Sequence, residues 1–373
     1  MQALVLVGGE GTRLRPLTLT RPKPAITLVD RPFIRFMVEW LARHGVDEVV
    51  MACGFRAEGL RAALGDEVPG GPRIAYVEEP EPLGTAGPVR LASDRGLLGE
   101  RFMVLNGDVL TDLDLSALQA LHAERDAAAT LALYPVPDPT HYGLVRRAGG
   151  PQAPGEPPAE PGGEVVEFVE KPDPDAIDTD EISAGAYVLE ASVLDLIPPG
   201  RAVSIEREVF PRLVRQGLFA RRLEGYWMDI GTPERYLQAS WDILEGTVST
   251  DLDGAGGPLI ADGARVAATA EIATRAVVGP GCEVGETAIV SESVILEGCE
   301  VGAGAVVEGS ILAPGVVLGA EARISEGSVI GEGARIESGA EVEAGARIKP
   351  KERVGGAFVS HSETNAPTEA SGG

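Results

Sequence analysis

Three clusters of residues in this chain are suited to phosphate chemistry. The first is Gly8-Gly9-Glu10-Gly11-Thr12-Arg13-Leu14-Arg15-Pro16, followed by Arg21-Pro22-Lys23-Pro24. Its three clustered glycines let the backbone turn sharply and bring its N–H groups close to a ligand. Four cations accompany them: Arg13, Arg15, Arg21 and Lys23. Backbone N–H groups that cradle oxygens, with side chains that neutralise their charge, suit a polyphosphate. The second cluster is Leu105-Asn106-Gly107-Asp108, and the third is Tyr226-Trp227-Met228-Asp229-Ile230-Gly231-Thr232-Pro233. A carboxylate leaving a strand's end beside a phosphate loop is a natural Mg²⁺ ligand. Taken alone, either aspartate could equally be a turn residue or a helix cap.

Two common phosphate loops do not account for the first cluster. The dinucleotide fingerprint G-x-G-x-x-G lacks its last glycine here, and no G-x-x-x-x-G-K-[ST] stretch occurs.

Elements must hold these clusters in place. Residues 1 to about 245 alternate strand-like and helix-like segments. Ala3–Val7, Val49–Ala52, Ile74–Val77, Phe102–Leu105 and Thr130–Tyr134 read as buried strands. Pro32–His44 reads as a helix stopped by Gly45, and Asp114–Arg125 as a second helix capped by Asp114. Such alternation predicts an α/β fold, an open and mostly parallel Rossmann-like sheet covered by helices. Ligands of such folds sit at the carboxyl ends of the strands. Gly149–Gly163, rich in Gly, Pro and Glu, reads as a long mobile hairpin tip between strands Leu144–Arg147 and Glu164–Val169.

The character changes after residue 258. Apolar residues recur every six positions at Ile260, Val266, Ile272, Val278, Val284 and Val290. The frame slips by one to Ile295, Val301 and Val307, then again to Leu312, Leu318, Ile324, Ile330, Ile336, Val342 and Ile348. A hexad of β-branched residues fits neither a helix nor a simple strand. It fits a parallel β-helix with one hexad per side and about five turns. The expected division is a catalytic domain at 1–245, a linker at 246–258, a β-helix domain at 259–350 and a disordered tail at 351–373.

A net charge of −25 and a pI near 4.6 make a surface that repels nucleic acid and anionic membrane. A site for anions must then be locally positive. Only four lysines occur, at 23, 171, 349 and 351, and every other basic residue is arginine. Lys23-Pro24 and Lys171-Pro172 thus mark places where a compact ammonium is used in preference to a guanidinium. Three cysteines (Cys53, Cys282, Cys299) form neither a disulfide framework nor a C-x-x-C spacing. No apolar run is long enough to span a bilayer, and the first residues do not read as a signal peptide. These features predict a cytoplasmic protein.

The first cluster closely resembles the signature G-G-x-G-T-R-L-x-P…K-P of the nucleotide-sugar pyrophosphorylases, the sugar-1-phosphate nucleotidyltransferases. The hexads resemble the left-handed hexapeptide β-helix, so the chain resembles the long, two-domain members from end to end. The resemblance implies that a sugar 1-phosphate attacks the α-phosphorus of a nucleoside triphosphate and releases pyrophosphate. It assigns catalysis to Arg13, Lys23 and Asp108, and a Mg²⁺ ion to Asp108 and Asp229. It assigns the nucleotide to Leu6, Gly8, Gly9, Gly11, Thr12, Glu79, Gly84 and Thr85. Lys171, in Phe168-Val169-Glu170-Lys171-Pro172, would hold the sugar phosphate, with Glu170 on sugar hydroxyls. Gly143, in Tyr142-Gly143-Leu144, and Gly185, in Ile182-Ser183-Ala184-Gly185, would line the sugar pocket. Ser183 stands where the family usually has Asn, and a hydroxyl lacks the paired donor and acceptor groups of an amide. Small-molecule substrates and a homo-oligomer are implied as partners, without nucleic acid or membrane.

Base choice can be argued from Glu78-Glu79-Pro80-Glu81-Pro82-Leu83-Gly84-Thr85. An ionised carboxylate accepts both N1–H and the N2 amino group of guanine. A pyrimidine offers one N–H beside carbonyls that the carboxylate repels. Glu79 is the candidate reader, with Gly84 letting the base pack closely. This wording, with Asn106-Gly107-Asp108-Val109-Leu110 and Val203-Ser204-Ile205-Glu206-Arg207-Glu208, most resembles mannose-1-phosphate guanylyltransferases. Thymidylyl- or uridylyl-transfer to glucose 1-phosphate is the alternative. Hexapeptide acyltransferases commonly need a histidine in the β-helix, and residues 258–350 contain none. A non-catalytic relative would not need Arg13, Lys23, Asp108 and Asp229 all in place.

Overall fold

The computed structural model describes residues 1–54, 57–252 and 256–359. The first half builds a nine-stranded sheet. Its order is Arg73–Glu78, Glu48–Cys53, Gln2–Leu6, Arg101–Asn106, Glu181–Glu190, Ala129–Pro135, Leu218–Arg222, Gly162–Glu170 and Gly143–Arg147. The first four strands are parallel neighbours. Glu181–Glu190 and Gly162–Glu170 run against the rest. Successive residues of Gln2–Leu6 enter different cores. Ala3 and Val5 join Met37, Trp40 and Leu41 on one face, and Leu4 joins Tyr187 and Phe210 on the other. With both faces covered, a strand reads as an unbroken apolar run. Asp114 caps helix Leu115–Glu124 by accepting from the Ser116 and Ala117 amides at 2.9 and 3.3 Å. The hairpin strands Gly143–Arg147 and Gly162–Glu170 pair antiparallel.

The hexads form three parallel sheets of six short strands each, an arrangement consistent with the left-handed β-helix. Core residues stack coil on coil, as Val278, Ile295, Leu312, Ile330 and Ile348 do along one side. Among the described residues the coils number six, not about five. Arg353–Val354 and Ala357–Val359 continue the helix into the stretch expected to be a disordered tail. Residues 360–373 of that stretch, and 253–255 of the expected linker, lie outside the described residues. Both frame slips fall at one corner. There the buried hydroxyls of Ser293 and Ser310 donate to the Ser291 and Glu308 carbonyls at 2.7 Å. Cys53, Cys282 and Cys299 are buried free thiols.

One side of the β-helix packs on the domain built around the nine-stranded sheet. Outward residues Val277, Val294, Ile311 and Val329 of that side are fully buried. They share a core with Leu14, Leu17, Ile26, Phe33, Phe36, Leu110, Ile230, Tyr236 and Leu237. Each such side chain contributes about 1.5–3 kcal/mol over leaving it exposed. The core includes the phosphate loop's own leucines and the neighbours of both candidate metal acids.

Candidate active site

The parallel strands end at one cavity of about 660 Å³. Leu6–Glu10 leave the first strand, Gly54 the second, Glu79–Thr85 the third and Asn106–Asp108 the fourth, and Lys23 and Pro24 close the space. Leu6, Gly8, Gly9, Lys23, Glu79, Gly84, Thr85 and Asp108 thus meet where the sheet leaves room for a ligand.

Lys23 donates to Asp108 Oδ2 at 2.9 Å. Its side chain is 11% exposed, so its charge acts in a shielded place where Coulomb energies exceed those in water. The other three cations of the loop do not line the cavity. Arg15 pairs with Glu10 at 3.3 Å on the surface. Arg21 turns away to Glu297 at 2.7 Å and Glu332 at 3.6 Å, both on the β-helix. For Arg15 and Arg21 the expectation of cations around a polyphosphate is corrected here. The loop folds as short 3₁₀ turns, Thr12–Leu14, Leu17–Leu19 and Lys23–Ala25, whose Leu14 and Leu17 are buried in the interdomain core. Burying those leucines aims Arg21 at the β-helix.

Gly11 and Thr12 begin this loop just outside the cavity wall. Gly11 has φ 61°, and a β-carbon there would meet Thr18 and the stem of Lys23 at 2.9 and 3.1 Å. Arg13 lies beside Gly231. Its guanidinium lies 2.7 Å from where a β-carbon on Gly231 would sit, and Asp229 Oδ1 lies 2.7 Å from the same point.

Asp108 and Asp229 come together through the antiparallel pair Val109–Thr111 and Trp227–Asp229, with the Ile230 amide donating to the Asp108 carbonyl at 2.8 Å. Arg235 and Tyr142 both donate to Asp229 Oδ2, at 2.5 and 3.2 Å. Oδ1 is buried with no hydrogen-bond partner. A buried orphan of this kind is costly, and a hard divalent cation would satisfy it. Among the described residues no group of three or more His, Cys, Asp or Glu gathers to hold a metal. Mg²⁺ suits such a pair, because it keeps waters and takes phosphate oxygens beside one or two carboxylates.

The candidate sugar residues form a second group. Gly143 pairs with Glu170 across the hairpin, and the Lys171 amide donates to the Tyr142 carbonyl at 2.9 Å. Lys171 has φ 53°, unusual for a non-glycine residue and common at functional sites. Gly185 abuts the Asn106 amide group, which lines the strand-end cavity. Buried Tyr187 connects the two groups. Burial first, then the Glu206, Glu170 and Asp108 carboxylates, push its phenol up. Burial and Glu206 also raise Glu170. Ser183 reaches only the Tyr187 hydroxyl, at 3.5 Å.

On the base side, Glu79 Oε2 accepts from the Leu83 amide at 3.0 Å, while Oε1 faces Gly8. Gly84 has a structural duty of its own. At φ 73°, its missing β-carbon would lie 2.5 Å from the Val203 carbonyl. The Thr85 hydroxyl donates to Glu206 at 2.6 Å and accepts from the Ile205 amide at 2.8 Å, so it secures the π-helical turn Ile205–Val209.

Sequence reasoning missed Tyr142 and Arg235 as holders of Asp229. Arg235 had a local signal. Thr232 is an N-cap followed by proline, and its hydroxyl accepts from the Arg235 amide, one turn on and above Asp229.

Residues 2–246 match the family model described as nucleotidyl transferase, and residues 255–362 match the one described as GMPPB C-terminal domain. Mannose-1-phosphate guanylyltransferase of Mycobacterium tuberculosis is 39% identical over 290 residues, 76% of this chain and 77% of that protein. Mannose-1-phosphate guanylyltransferase 1 of Arabidopsis thaliana is 39% identical over 297 residues, 78% of each. Among solved structures, UDP-glucose pyrophosphorylase of Acinetobacter baumannii aligns with a TM-score of 0.58 at 25% identity, covering 66% of this chain and 93% of that one.

Proposed function

The chain belongs to the mannose-1-phosphate guanylyltransferase family of nucleotidyl transferases, and from that premise we propose that it converts GTP and mannose 1-phosphate to GDP-mannose and pyrophosphate. The observation that carries this is the strand-end cavity, lined by both the Lys23–Asp108 pair and the Glu79 carboxylate. An oxygen of the sugar phosphate attacks the α-phosphorus in line. The bond from that phosphorus to the bridging oxygen breaks, and its electrons leave with pyrophosphate. No protein nucleophile and no proton transfer are needed, so catalysis consists of positioning and charge stabilisation.

Lys23 holds the α-phosphate, giving up part of its bond to Asp108. Arg13 swings from Gly231 onto the outer phosphates. Lys171 fixes the attacking phosphate, and Glu170, Gly143 and Gly185 shape the sugar side. Asp108 and Asp229 hold Mg²⁺, which when bound supplies positive charge to the phosphate oxygens. Pyrophosphate formed in step with GDP-mannose is the assay.

Glu79 reads guanine with both carboxylate oxygens, Oε2 using one lone pair for the Leu83 amide and leaving the other for the base. Glu79→Gln should lower kcat/KM for GTP by about a hundredfold, because one guanine donor then faces an amide N–H. UTP and dTTP should gain relative to GTP in the same competition assay. Burial lifts the Glu79 carboxyl above its ordinary 4.5. GTP affinity should therefore fall as pH drops through that raised value, earlier than for a solvated glutamate. Calorimetric titration against pH should show the loss in the wild type and its absence in Glu79→Gln. The linked stability effect has the opposite sense. A raised folded pKa means the folded state binds more protons, so its stability falls as pH rises through that window.

Buried unpaired thiols suit a reducing compartment such as the cytoplasm. No helix among the described residues is long and apolar enough to cross a membrane. A homo-oligomer belongs to the same proposal. Its support is the open apolar end of the first coil, where Ile260 is 47% exposed.

A further inference from the structure

We propose that the β-helix sets the geometry of the reaction centre through two ionic clasps, making Arg21 and Glu234 positioning residues. The inference rests on the reaction proposed above. Arg21 stands two positions before Lys23 and bonds Glu297 and Glu332, which lie on separate coils. Glu234 stands next to Arg235, which grips Asp229, and it meets Arg347 of the last coil at 3.3 Å. The β-helix thus holds the segment that carries the catalytic ammonium and also the helix start that aims the metal acid.

Magnitudes separate placement from stability. The apolar seam of Val277, Val294, Ile311 and Val329 is fully buried and supplies several kcal/mol. An ion pair about a third exposed contributes about 0–1 kcal/mol. Removing the clasps should therefore leave the domains docked. What they add is direction. A small displacement at a reaction centre has a large effect on rate, because a misplacement of about 1 Å can cost a hundredfold. A third interdomain pair, Arg275 with Glu245 at 2.5 Å, lies at the far end of the same helix and touches neither loop. It serves as the matched control.

The test uses the full chain carrying Glu297→Gln with Glu332→Gln. Its kcat/KM for GTP should fall about tenfold, with KM for mannose 1-phosphate within twofold and Tm within a few degrees of the wild type. Adding Arg21→Gln should cause little further loss, as expected for partners in one interaction. Arg275→Gln should keep wild-type kinetics. An unchanged kcat/KM in the double variant would overturn the proposal, as would an equal loss in Arg275→Gln. A wild-type enzyme that released no pyrophosphate would instead sink the proposed reaction. The clasp would then be judged on Mg·GTP affinity, which the double variant must weaken about tenfold and Arg275→Gln must leave alone.

Discussion

Lys23→Ala should reduce kcat by about a thousandfold or more while leaving Tm within a few degrees. The Lys23 side chain is 11% exposed on the cavity wall, where water screens its charge little. A thousandfold corresponds to about 4 kcal/mol, within what one preorganised donor aimed at developing phosphate charge supplies. The fold should tolerate the change. Asp108, freed of its partner, is 43% exposed and stays solvated. Lys23→Arg should not restore the rate, because a planar guanidinium cannot occupy the place of a compact ammonium. Steady-state kinetics with a thermal melt reads both quantities. Wild-type turnover in Lys23→Ala would show that the Lys23–Asp108 pair is only structural.

Asp229→Asn should be comparably severe and should separate activity from stability. Its Oδ1 is a buried carboxylate oxygen with no partner. An amide is a weaker ligand for a hard cation, so kcat should fall about a hundredfold and half-saturation in Mg²⁺ should rise at least tenfold. Arg235 and Tyr142 hold the other oxygen, which asparagine keeps as a carbonyl, so the variant should melt within a few degrees of the wild type. Titrating Mg²⁺ against rate, beside the melt, tests both arms. A lower Tm with unchanged Mg²⁺ dependence would make Asp229 a framework residue held by Arg235 and Tyr142.

Much of this was legible because its signals are local. Gly8 to Arg13 leave a strand within a few residues, and the hexads repeat until their two frame slips. One local signal was left unread. Outward positions of every third hexad are Val277, Val294, Ile311 and Val329, while the same positions on the next side are mostly charged, as Arg265, Glu283, Glu300 and Arg335. Scattered apolar residues can face water, but four in a row along one side mark a covered face. The docked face was therefore written in the sequence. The partners of Arg21 were not, because nothing local connects residue 21 with residues 297 and 332. A cation in a phosphate loop reads as a phosphate ligand until tertiary packing turns it elsewhere. Tyr142 also reaches Asp229 from a distant part of the chain, 87 residues away. Gly84 and Thr85 line the expected wall, yet much of their chemistry serves the 203–209 segment. Residue type alone does not distinguish those duties.

Product analysis across GTP, UTP, dTTP and ATP, each with mannose 1-phosphate or glucose 1-phosphate in the presence of Mg²⁺, is the most direct test. Equimolar GDP-mannose and pyrophosphate from GTP with mannose 1-phosphate, at rates well above every other pair, is the expected result. Turnover only with dTTP or UTP, or none with any triphosphate, would contradict the account.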